Sequence, residues 1–297
     1  MIHCVGVVIL SMLLTQAAGA VWAAERSTFA GPAMGTTYRV TLARPRNERE
    51  LGKLHREIDQ LLAELDQQLS TWRNDSDASR FNQADSGVWV AVGKDLFRVV
   101  QHAQELHHRT DGRFDITVGP LVRWWQNRLP GTTTDVLLNT EPPRDLLAQV
   151  GSSLIESRPA YENNPAAIRK RAPGVEIDLS AIGPGYAVDE IGEQLVGLGS
   201  ANHLVELGGE VRAWGRRADG SPWRVAVQAA GTGGAHAKSI ELADGRAVAV
   251  AAASIDRPVI DPRTGRIARN RRPSDPIIYA DSCAEADALA TATMLPE

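Results

Sequence analysis

The sequence has almost no cysteine. Its 297 residues include 2 cysteines, Cys4 and Cys283, and Cys4 lies inside an apolar N-terminal segment that we expect to be removed. A chain with one remaining cysteine cannot form an intrachain disulfide, so we expect the fold to depend on its hydrophobic core. An excess of positive charge is also lacking, since 32 Lys and Arg stand against 36 Asp and Glu. The sequence therefore gives no indication of nucleic-acid binding.

Long apolar runs are lacking after the first residues. Residues 2–20 are almost uncharged and are followed by small residues, which predicts a signal peptide over residues 1–23, cleaved after about Ala23. No Lys or Arg precedes the apolar stretch, so an uncleaved membrane anchor is the alternative. Cys4 lies too early to be the acylated cysteine of a lipoprotein signal. We expect an exported, periplasmic protein whose folded domain is residues 24–297.

Apolar spacing predicts helices and strands that alternate without a strict β-α-β order, which is typical of the α+β class. The sequence contains no internal repeat and no obvious interdomain linker. Gly119-Pro120 predicts a break in regular secondary structure, and residues 126–144 predict a surface loop. Helices are predicted at 47–70, 78–81, 95–108, 144–150 and from residue 286. Strands are predicted within 29–42 and at 114–118, 175–179, 203–207, 211–214, 223–228 and 247–253.

The chain is organised around residues 176–189, EIDLSAIGPGYAVD. An apolar strand carrying Asp178 is followed by a turn of small residues and by a helix with apolar positions three and four apart. A strand, a Gly-rich turn and a helix N-terminus bring backbone N–H groups to face a phosphate. Such a turn on its own is more often a tight connection, and Asp178 alone reads as a hydrogen-bonded structural carboxylate.

Oxygen ligands are the second chemical signal. Asp287 and Thr291 are four residues apart on a predicted helix, so their side chains project from one face. Together with a backbone carbonyl from the turn at Ala181, they would form an all-oxygen site of the kind that Mg²⁺ prefers. The spacing alone is mostly a chance occurrence.

Seven strings, taken together and in order, resemble the ApbE family of flavin transferases. The resemblance covers the chain from Met34 to its end and implies an α+β fold: a single ApbE-like domain, related to the T-fold, with mixed or antiparallel sheets flanked by helices. The strings are MGTTYRV, LSTWRNDSDASRFN, TDGRFDITVGPLVRWW, IDLSAIGPGYAVDEI, LVELGGEVRAWG, VIDPRTG and ADALATA.

The resemblance implies an activity. Proteins of this family transfer FMN from FAD to a Thr or Ser hydroxyl of a target flavoprotein and release AMP, with Mg²⁺ on the pyrophosphate. The implied partner is a membrane-bound or periplasmic electron-transfer protein that carries the acceptor residue. Export to the periplasm agrees with the predicted signal peptide.

The resemblance also implies roles for individual residues. Asp178 corresponds to the carboxylate that holds the adenosine end of FAD, and Ala181, Asp287 and Thr291 to the metal ligands. The remaining implied cofactor-binding residues are Met34, Trp72, Arg113, Phe114, Asp115, Pro184 and Val259.

Three departures from the family pattern support an alternative function. Pro184 stands where the family has Lys, Arg257 and Pro258 stand where it has His, and few residues follow Thr291, where a shortened helix and an unmatched strand edge are expected. The catalytic base is therefore unknown. The alternative is a non-catalytic FAD-binding accessory protein of the same fold.

Simpler interpretations remain for other polar residues. Asp115 could face solvent from its strand, and Gly208-Gly209 reads as a tight strand turn. His107 and His108 suit a helix C-terminus, where the dipole favours positive charge. An arginine cluster reads more readily as a solvated loop than as a contact for the FAD phosphates: Arg263, Arg266, Arg269, Arg271 and Arg272.

Overall fold

The structure is a computed structural model that describes residues 26–132, 134–228, 237–250, 258–268 and 276–296. In the described part of the chain, eight α-helices, a short 3₁₀ helix (Ser152–Leu154) and eleven strands are present, and the strands of every sheet pair antiparallel. This confirms the α+β class. The predicted signal peptide, the Arg257 position and three of the clustered arginines (Arg269, Arg271 and Arg272) lie outside the described residues.

The helices are α1 (Glu48–Leu69), α2 (Asp77–Gln83), α3 (Lys94–Arg109), α4 (Gly119–Gln126), α5 (Thr134–Asn139), α6 (Arg144–Leu147), α7 (Gly183–Gly197) and α8 (Cys283–Thr293). The strands are β1 (Ser27–Ala33), β2 (Thr36–Leu42), β3 (Val90–Ala91), β4 (Ile155–Arg158), β5 (Ala167–Lys170), β6 (His203–Leu207), β7 (Glu210–Trp214), β8 (Trp223–Gln228), β9 (Ala237–Leu242), β10 (Ala247–Val250) and β11 (Ile277–Ala280). Within the described ranges, no helix is long and apolar enough to cross a membrane.

The described residues divide into two compact units, each assembled from three stretches of sequence. The first unit draws on the described residues within Met1–Ala63, Pro184–Val250 and Ser274–Asp287. The second unit draws on the described residues within Glu64–Gly183, Ala251–Pro273 and Ala288–Glu297. That residues 24–297 form one domain stays a prediction.

The first unit contains a six-stranded sheet in the order β1-β2-β6-β7-β10-β11 and the two-stranded sheet β8-β9. Strands β1 and β2 are joined by a two-residue turn in which Met34 has a φ of 47° and Gly35 a φ of 76°. Positive φ at both central residues matches the right-handed twist of a hairpin. Helix α1 is attached to β2 by the Tyr38 hydroxyl, which donates to Asp59 at 2.6 Å. The core joins both sheets: Ala43, Leu204, Val211, Ala213, Trp223, Val225, Ile240, Leu242 and Val248.

Helix α7 packs very closely against its neighbours in the first unit. A Cβ on Gly192 would overlap the indole ring of Trp214, and a Cβ on Gly185 would overlap the carbonyl oxygen of Cys283. Because glycine has no side chain, α7 lies directly against the Trp214 ring of β7 and against the backbone of α8.

The second unit contains the small sheet β3-β5-β4 and helices α2 to α6. Its apolar cluster is centred on Leu121, Trp125, Leu137 and Ile260, and the Trp125 Nε1 donates to the carbonyl of Gly265 at 2.8 Å. Ser76 caps α2 by accepting from the Ser79 N–H at 3.0 Å, as its position before the helix favours.

Two predicted strands were wrong. Residues 114–118 and 175–179 form turns and extended segments, joined by one parallel bridge between Val118 and Glu176. The physical reason is that Asp115 and Asp178 each accept a hydrogen bond from the backbone N–H two residues ahead. This bond turns the chain away from the extended conformation that strand pairing requires.

Other boundaries also differ from the prediction. Gly119 and Pro120 begin α4 rather than break the chain, because proline lacks only an N–H that has no partner in the first turn. The predicted loop at 126–144 contains α5, and α8 begins at Cys283 rather than at residue 286. The sequence analysis did not predict the short strands β3, β4, β5 and β11, nor the six-residue strand β9.

Candidate functional site

The predicted site residues fall in both compact units. The first unit contains Met34, Pro184 and Asp287. The second unit contains Trp72, Arg113, Phe114, Asp115, Asp178, Ala181, Val259 and Thr291. That Ala181, Asp287 and Thr291 hold one cation stays a prediction, as does the set of cofactor contacts.

Asp178 lies in a tightly held turn of the second unit. Its Oδ1 accepts from the Ser180 N–H at 2.8 Å and from the Ser180 hydroxyl at 2.5 Å. The residue before it is fixed from both sides, since the Asn82 side chain donates to the Ile177 carbonyl at 2.9 Å and accepts from its N–H at 2.8 Å. Asp178 is half-buried. A partly exposed carboxylate in a rigid turn is suited to binding a ligand hydroxyl or amino group.

Asp115 lies in a second turn of the same design. Its Oδ1 accepts from the Thr117 N–H at 2.8 Å and the Thr117 hydroxyl at 2.6 Å, and its Oδ2 lies 2.9 Å from the His107 Nδ1. The contact with Asp115 raises the pKa of His107, although burial opposes the shift. Both oxygens of this buried carboxylate already have protein partners, so its contacts are those of a structural group rather than of a solvent-facing one.

The two turns form a repeated unit that the sequence analysis missed. Each consists of Asp-x-Thr or Asp-x-Ser followed by Gly-Pro at the start of a helix, α4 in one case and α7 in the other. The Asp178 N–H donates to the Ile116 carbonyl at 2.7 Å, which links them directly. A Cβ on Gly119 would lie 2.8 Å from the Glu176 carbonyl oxygen. The shared Asp and Gly-Pro pattern was the available signal.

The neighbours of Asp115 differ in exposure. Phe114 is buried and its N–H donates to the Thr110 hydroxyl at 3.1 Å. Arg113 is half-buried, with its Nε donating to the Thr110 carbonyl at 3.0 Å. Arg113 is therefore the member of this triplet that keeps part of a cationic side chain in solvent.

Trp72 is exposed over 87% of its surface. Its loop is nevertheless ordered by side chains, because the Ser70 hydroxyl accepts from the N–H groups of both Trp72 and Arg73 at 3.3 Å. The Trp72 ring therefore stands in water on a loop whose backbone is held by hydrogen bonds. It is available to stack on a planar ligand.

Val259 lies at the start of a tight turn. Its carbonyl accepts from the Ala268 N–H at 2.7 Å, and its side chain is half-buried. The following Asp261 is buried and accepts from Arg263 through the N–H at 2.9 Å and the guanidinium at 3.0 Å. Asp261 and Arg263 thus fix the loop that carries Val259.

Met34 occupies the tip of the β1–β2 turn with a positive φ. This region is unfavourable for a residue with a long side chain and is normally occupied by Gly, Asn or Asp. A strained, half-buried residue at the tip of a hairpin is a reason to look for a function there.

The N-terminus of α7 does not present open amides as the sequence analysis expected. The Gly183 N–H donates to the Leu179 carbonyl at 2.7 Å, Pro184 has no N–H, and the Gly185 N–H lies 3.3 Å from the Asp287 Oδ2. Pro184 is accommodated because it stands in the first turn of the helix. The positive end of α7 is therefore directed at the Asp287 carboxylate.

Asp287 is a buried carboxylate, with 7% of its surface exposed. Burial raises its pKa well above the usual range, and the nearby charges of Glu210 and Asp189 raise it further. Among the described residues, no Lys or Arg forms an ion pair with it. A buried acid with acidic neighbours and no cationic partner has the donor chemistry that a hard divalent cation requires.

The carboxylate donors of the first unit do not by themselves amount to a complete metal site. Within the described ranges, no group of three or more His, Cys, Asp or Glu side chains could hold a metal ion. Asp287 fits a cation that takes its other ligands from carbonyl, hydroxyl, water or substrate oxygens. The predicted ligands Ala181 and Thr291 are both half-buried, and Thr291 follows Asp287 by one turn of α8.

Sequence reasoning missed two acidic residues near Asp287. Burial raises the pKa of Glu210 to about 7, and repulsion from Glu206 acts in the same direction. Asp189 is buried beside the N-terminus of α8. The available signals were an acid directly after Gly208-Gly209 and an acid inside the apolar face of α7.

Comparisons with known proteins identify the family of this chain. The sequence profile of the ApbE family matches residues 34–297. A FAD:protein FMN transferase of Vibrio cholerae is 35% identical over 301 residues, covering 97% of this chain and 86% of that protein.

Solved structures of flavin transferases are also similar to this chain in fold. The flavin transferase ApbE from Vibrio cholerae superimposes with a TM-score of 0.74 at 34% identity, covering 92% of this chain and 88% of the other. The apo form of the Pseudomonas stutzeri flavinyl transferase ApbE gives a TM-score of 0.73 at 30% identity, covering 91% and 84%. A profile match over most of the sequence, together with these relatives, establishes that the chain belongs to the ApbE family.

Proposed function

We propose that this protein is a FAD:protein FMN transferase that moves FMN from FAD to a Thr or Ser hydroxyl of a target flavoprotein. The observation that carries the proposal is the match to the ApbE family over residues 34–297, supported by a Vibrio cholerae transferase that is 35% identical. The buried carboxylate of Asp287 at the N-terminus of α7 is the structural feature that supports it best.

The reaction is a phosphoryl-type transfer. The acceptor hydroxyl oxygen forms a bond to the FMN phosphorus, the bond from that phosphorus to the bridging pyrophosphate oxygen breaks, and AMP leaves with that oxygen. The hydroxyl proton is lost as the new bond forms. Such transfers depend mainly on positioning and on neutralising the phosphate charge.

Residues of this chain have distinct roles in the proposal. Asp178 binds the adenosine end of FAD from its rigid turn, and Trp72 offers a flat face to an aromatic ring of the cofactor. Arg113 is the half-exposed cation of its loop and would bind ligand oxygens. Together these contacts orient FAD so that the acceptor can approach one phosphorus.

Asp287 and Thr291 are proposed to hold Mg²⁺ with the carbonyl oxygen of Ala181. Bound Mg²⁺ supplies the positive charge that stabilises the pyrophosphate oxygens and the leaving group. The acidic surroundings of Asp287 support the assignment, because Glu210 and Asp189 make that region attractive to a cation.

The proposal is tested with the purified protein, FAD, Mg²⁺ and an acceptor domain that carries a Thr. We expect a covalently fluorescent acceptor on a denaturing gel and one AMP released for each FMN attached. Asp287→Asn should abolish both, whereas Asp145→Asn, the same change at an exposed position of α6, should affect neither. Absence of label on an acceptor that a known transferase modifies would refute the proposal.

A second candidate function is a FAD-binding accessory protein without transfer activity. It is favoured by Pro184, which removes the cation that the family has at that position and leaves no N–H there. This candidate predicts stoichiometric FAD binding with no AMP release. AMP production that depends on Asp287 would exclude it.

We also propose that the protein is exported to the periplasm and acts on an electron-transfer protein there or in the membrane. The support is the apolar, almost uncharged stretch at residues 2–20, which is followed by small residues. N-terminal sequencing of the protein from its host should find a start near Ala24 if the signal is cleaved. A full-length, membrane-bound form would identify the stretch as an anchor, and a full-length cytosolic form would contradict export.

A further inference from the structure

We infer that Asp189 is a positioning residue for the cation site. By capping α8 it fixes the register in which that helix presents Asp287. The inference rests on the proposed role of Asp287 as a metal ligand.

The side chain of Asp189 replaces the missing hydrogen-bond partners at the start of α8. Its Oδ1 accepts from the Cys283 N–H at 2.8 Å, and its Oδ2 accepts from the Ala284 N–H at 3.0 Å. The next N–H, that of Glu285, donates to the Ser282 hydroxyl at 3.2 Å. The first amides of a helix have no intrahelical partner, so one carboxylate from α7 accounts for two of those on α8.

One turn earlier on α7, Gly185 makes the second attachment. Its N–H lies 3.3 Å from the Asp287 Oδ2, and its missing side chain allows the backbone of Cys283 to pack against it. Gly185 and Asp189 are four residues apart and therefore share one face of α7. Asp189 holds α8 at its first residue, Cys283, and Gly185 contacts α8 one turn later at Asp287, the proposed metal ligand.

Arg212 fixes the orientation of Asp189 from the other side. Its guanidinium donates to the Asp189 Oδ1 at 2.7 Å and to the Gly245 carbonyl at 3.2 Å, and it lies 4.7 Å from the centre of the Trp214 ring. The carboxylate is buried between these groups and cannot swing away without losing charged hydrogen bonds. Strand β7 is thereby connected through Asp189 to α8.

The consequence for cation binding follows from this chain of contacts. A shift of α8 along or around its axis moves Asp287 by a comparable amount, and divalent cations discriminate strongly on ligand position. Groups that orient metal ligands typically change metal affinity about 10–100-fold when they are removed. Asp189 contacts the backbone of α8 rather than the Asp287 side chain, so its positioning effect passes through the helix, in addition to the effect of its charge.

The test measures cation binding directly. Mn²⁺ is titrated into the full chain in the presence of FAD and without acceptor, free Mn²⁺ is followed by electron paramagnetic resonance, and Mg²⁺ is then added as competitor. Asp189→Asn leaves one acceptor oxygen for three donors, namely the Arg212 guanidinium and the N–H groups of Cys283 and Ala284. We expect this variant to weaken Mn²⁺ binding about 10–100-fold. Gly185→Ala forces the two helices apart, and we expect it to weaken binding in the same direction.

The matched control is Asp59→Asn, the same substitution in the same unit at a carboxylate that accepts from Tyr38. It should leave Mn²⁺ affinity within about twofold of the wild type. A further readout is the Mg²⁺ dependence of FMN transfer, in which Asp189→Asn should raise the KM for Mg²⁺ and recover its kcat at saturating Mg²⁺.

Unchanged Mn²⁺ affinity in both Asp189→Asn and Gly185→Ala would overturn the inference, even if both proteins are less stable. If Asp189→Asn does not fold, the Mn²⁺ affinity of Gly185→Ala decides whether the inference stands. Asp287→Asn separates the two proposals: if it too binds Mn²⁺ normally, the metal assignment and this inference both fail. If only Asp287→Asn loses Mn²⁺, the metal assignment stands and the positioning role is rejected.

Discussion

The imidazole of His203 is stacked on the indole of Trp214, with ring centroids 4.8 Å apart and 24° between the planes. His203 is completely buried, and its Nδ1 lies 2.6 Å from the Ser200 carbonyl oxygen. The stack joins the first residue of β6 to the last residue of β7, which are paired in register. Burial in this apolar setting lowers the pKa of His203 to about 4.

This pKa predicts how stability depends on pH. The unfolded chain takes up a proton at His203 near pH 6.5, whereas the folded chain does so only near pH 4, so stability is lost as the pH falls through this window. The loss attributable to His203 is on the order of 3 kcal/mol. Urea unfolding at pH 5 and 7.5 should show a smaller pH difference for His203→Gln than for the wild type. The same substitution at the half-exposed His102 is the control, and an equal pH difference in wild type and His203→Gln would contradict the assignment.

Asp287→Asn should raise the stability of the cation-free protein. Without a cation, Asp287 is a buried acid beside Glu210 and Asp189, and the amide removes that repulsion. We expect a gain of about 1 kcal/mol in EDTA, or roughly 2–4 °C in Tm. Mg²⁺ should stabilise the wild type, because a ligand that binds only the folded state raises its stability, and should have no effect on the variant. Equal stabilisation of both proteins by Mg²⁺ would place the cation elsewhere.

Met34→Gly should separate stability from ligand binding at the β1–β2 turn. Glycine removes the strain of a positive φ, so we expect the free energy of unfolding to rise by about 1 kcal/mol. If Met34 contacts the flavin, FAD affinity should fall in the same variant. Met34→Asn, which tolerates this backbone conformation, is the control for side-chain length. A variant that is less stable than the wild type would show that the Met34 side chain stabilises the hairpin.

Asp178→Asn and Asp115→Asn should have opposite consequences, although they change the same kind of turn. Asp115 is buried and contacts His107, so its substitution should cost about 1–3 kcal/mol of stability and lower the pKa of His107. Asp178 is partly exposed, so its substitution should reduce FAD affinity with a small effect on unfolding. Equilibrium dialysis with FAD and urea titration of both variants test this contrast. Loss of FAD binding only in Asp115→Asn would reverse the assignment.

Trp72→Ala should leave stability within about 0.5 kcal/mol of the wild type, because 87% of the side chain is already in water. FAD affinity should decrease, since the proposed stacking partner is lost. Trp72→Phe, which keeps an aromatic face, should bind FAD better than Trp72→Ala. Identical FAD affinity in all three proteins would show that the ring does not contact the cofactor.

The sequence predicted long amphipathic helices well. The apolar stripe of α1 and the cap residues of α2 determine those elements locally, and the structure confirms them within one or two residues at most ends. Strands were predicted less reliably. Segments such as FDITV and EIDLS have the apolar character of strands, but a single Asp in each binds the chain two residues ahead and turns it.

The candidate site was likewise predictable from the sequence only in part. Motif order was sufficient to identify the family, because seven strings occur together in the family's order. The contacts of Asp189 could not be predicted, since they join α7 to residues almost a hundred positions later in the chain. The buried state of Asp287 and its acidic neighbours likewise depends on tertiary packing, which the residue types alone do not specify.

The paired Asp turns of the second unit also have a mechanical consequence. The hydrogen bond from the Asp178 N–H to the Ile116 carbonyl connects one Asp turn directly to the other. A ligand that binds to the Ser180 turn would therefore also restrict motion at Thr117 in the other Asp turn. Slower amide hydrogen exchange at Thr117 would then report binding at the Ser180 turn.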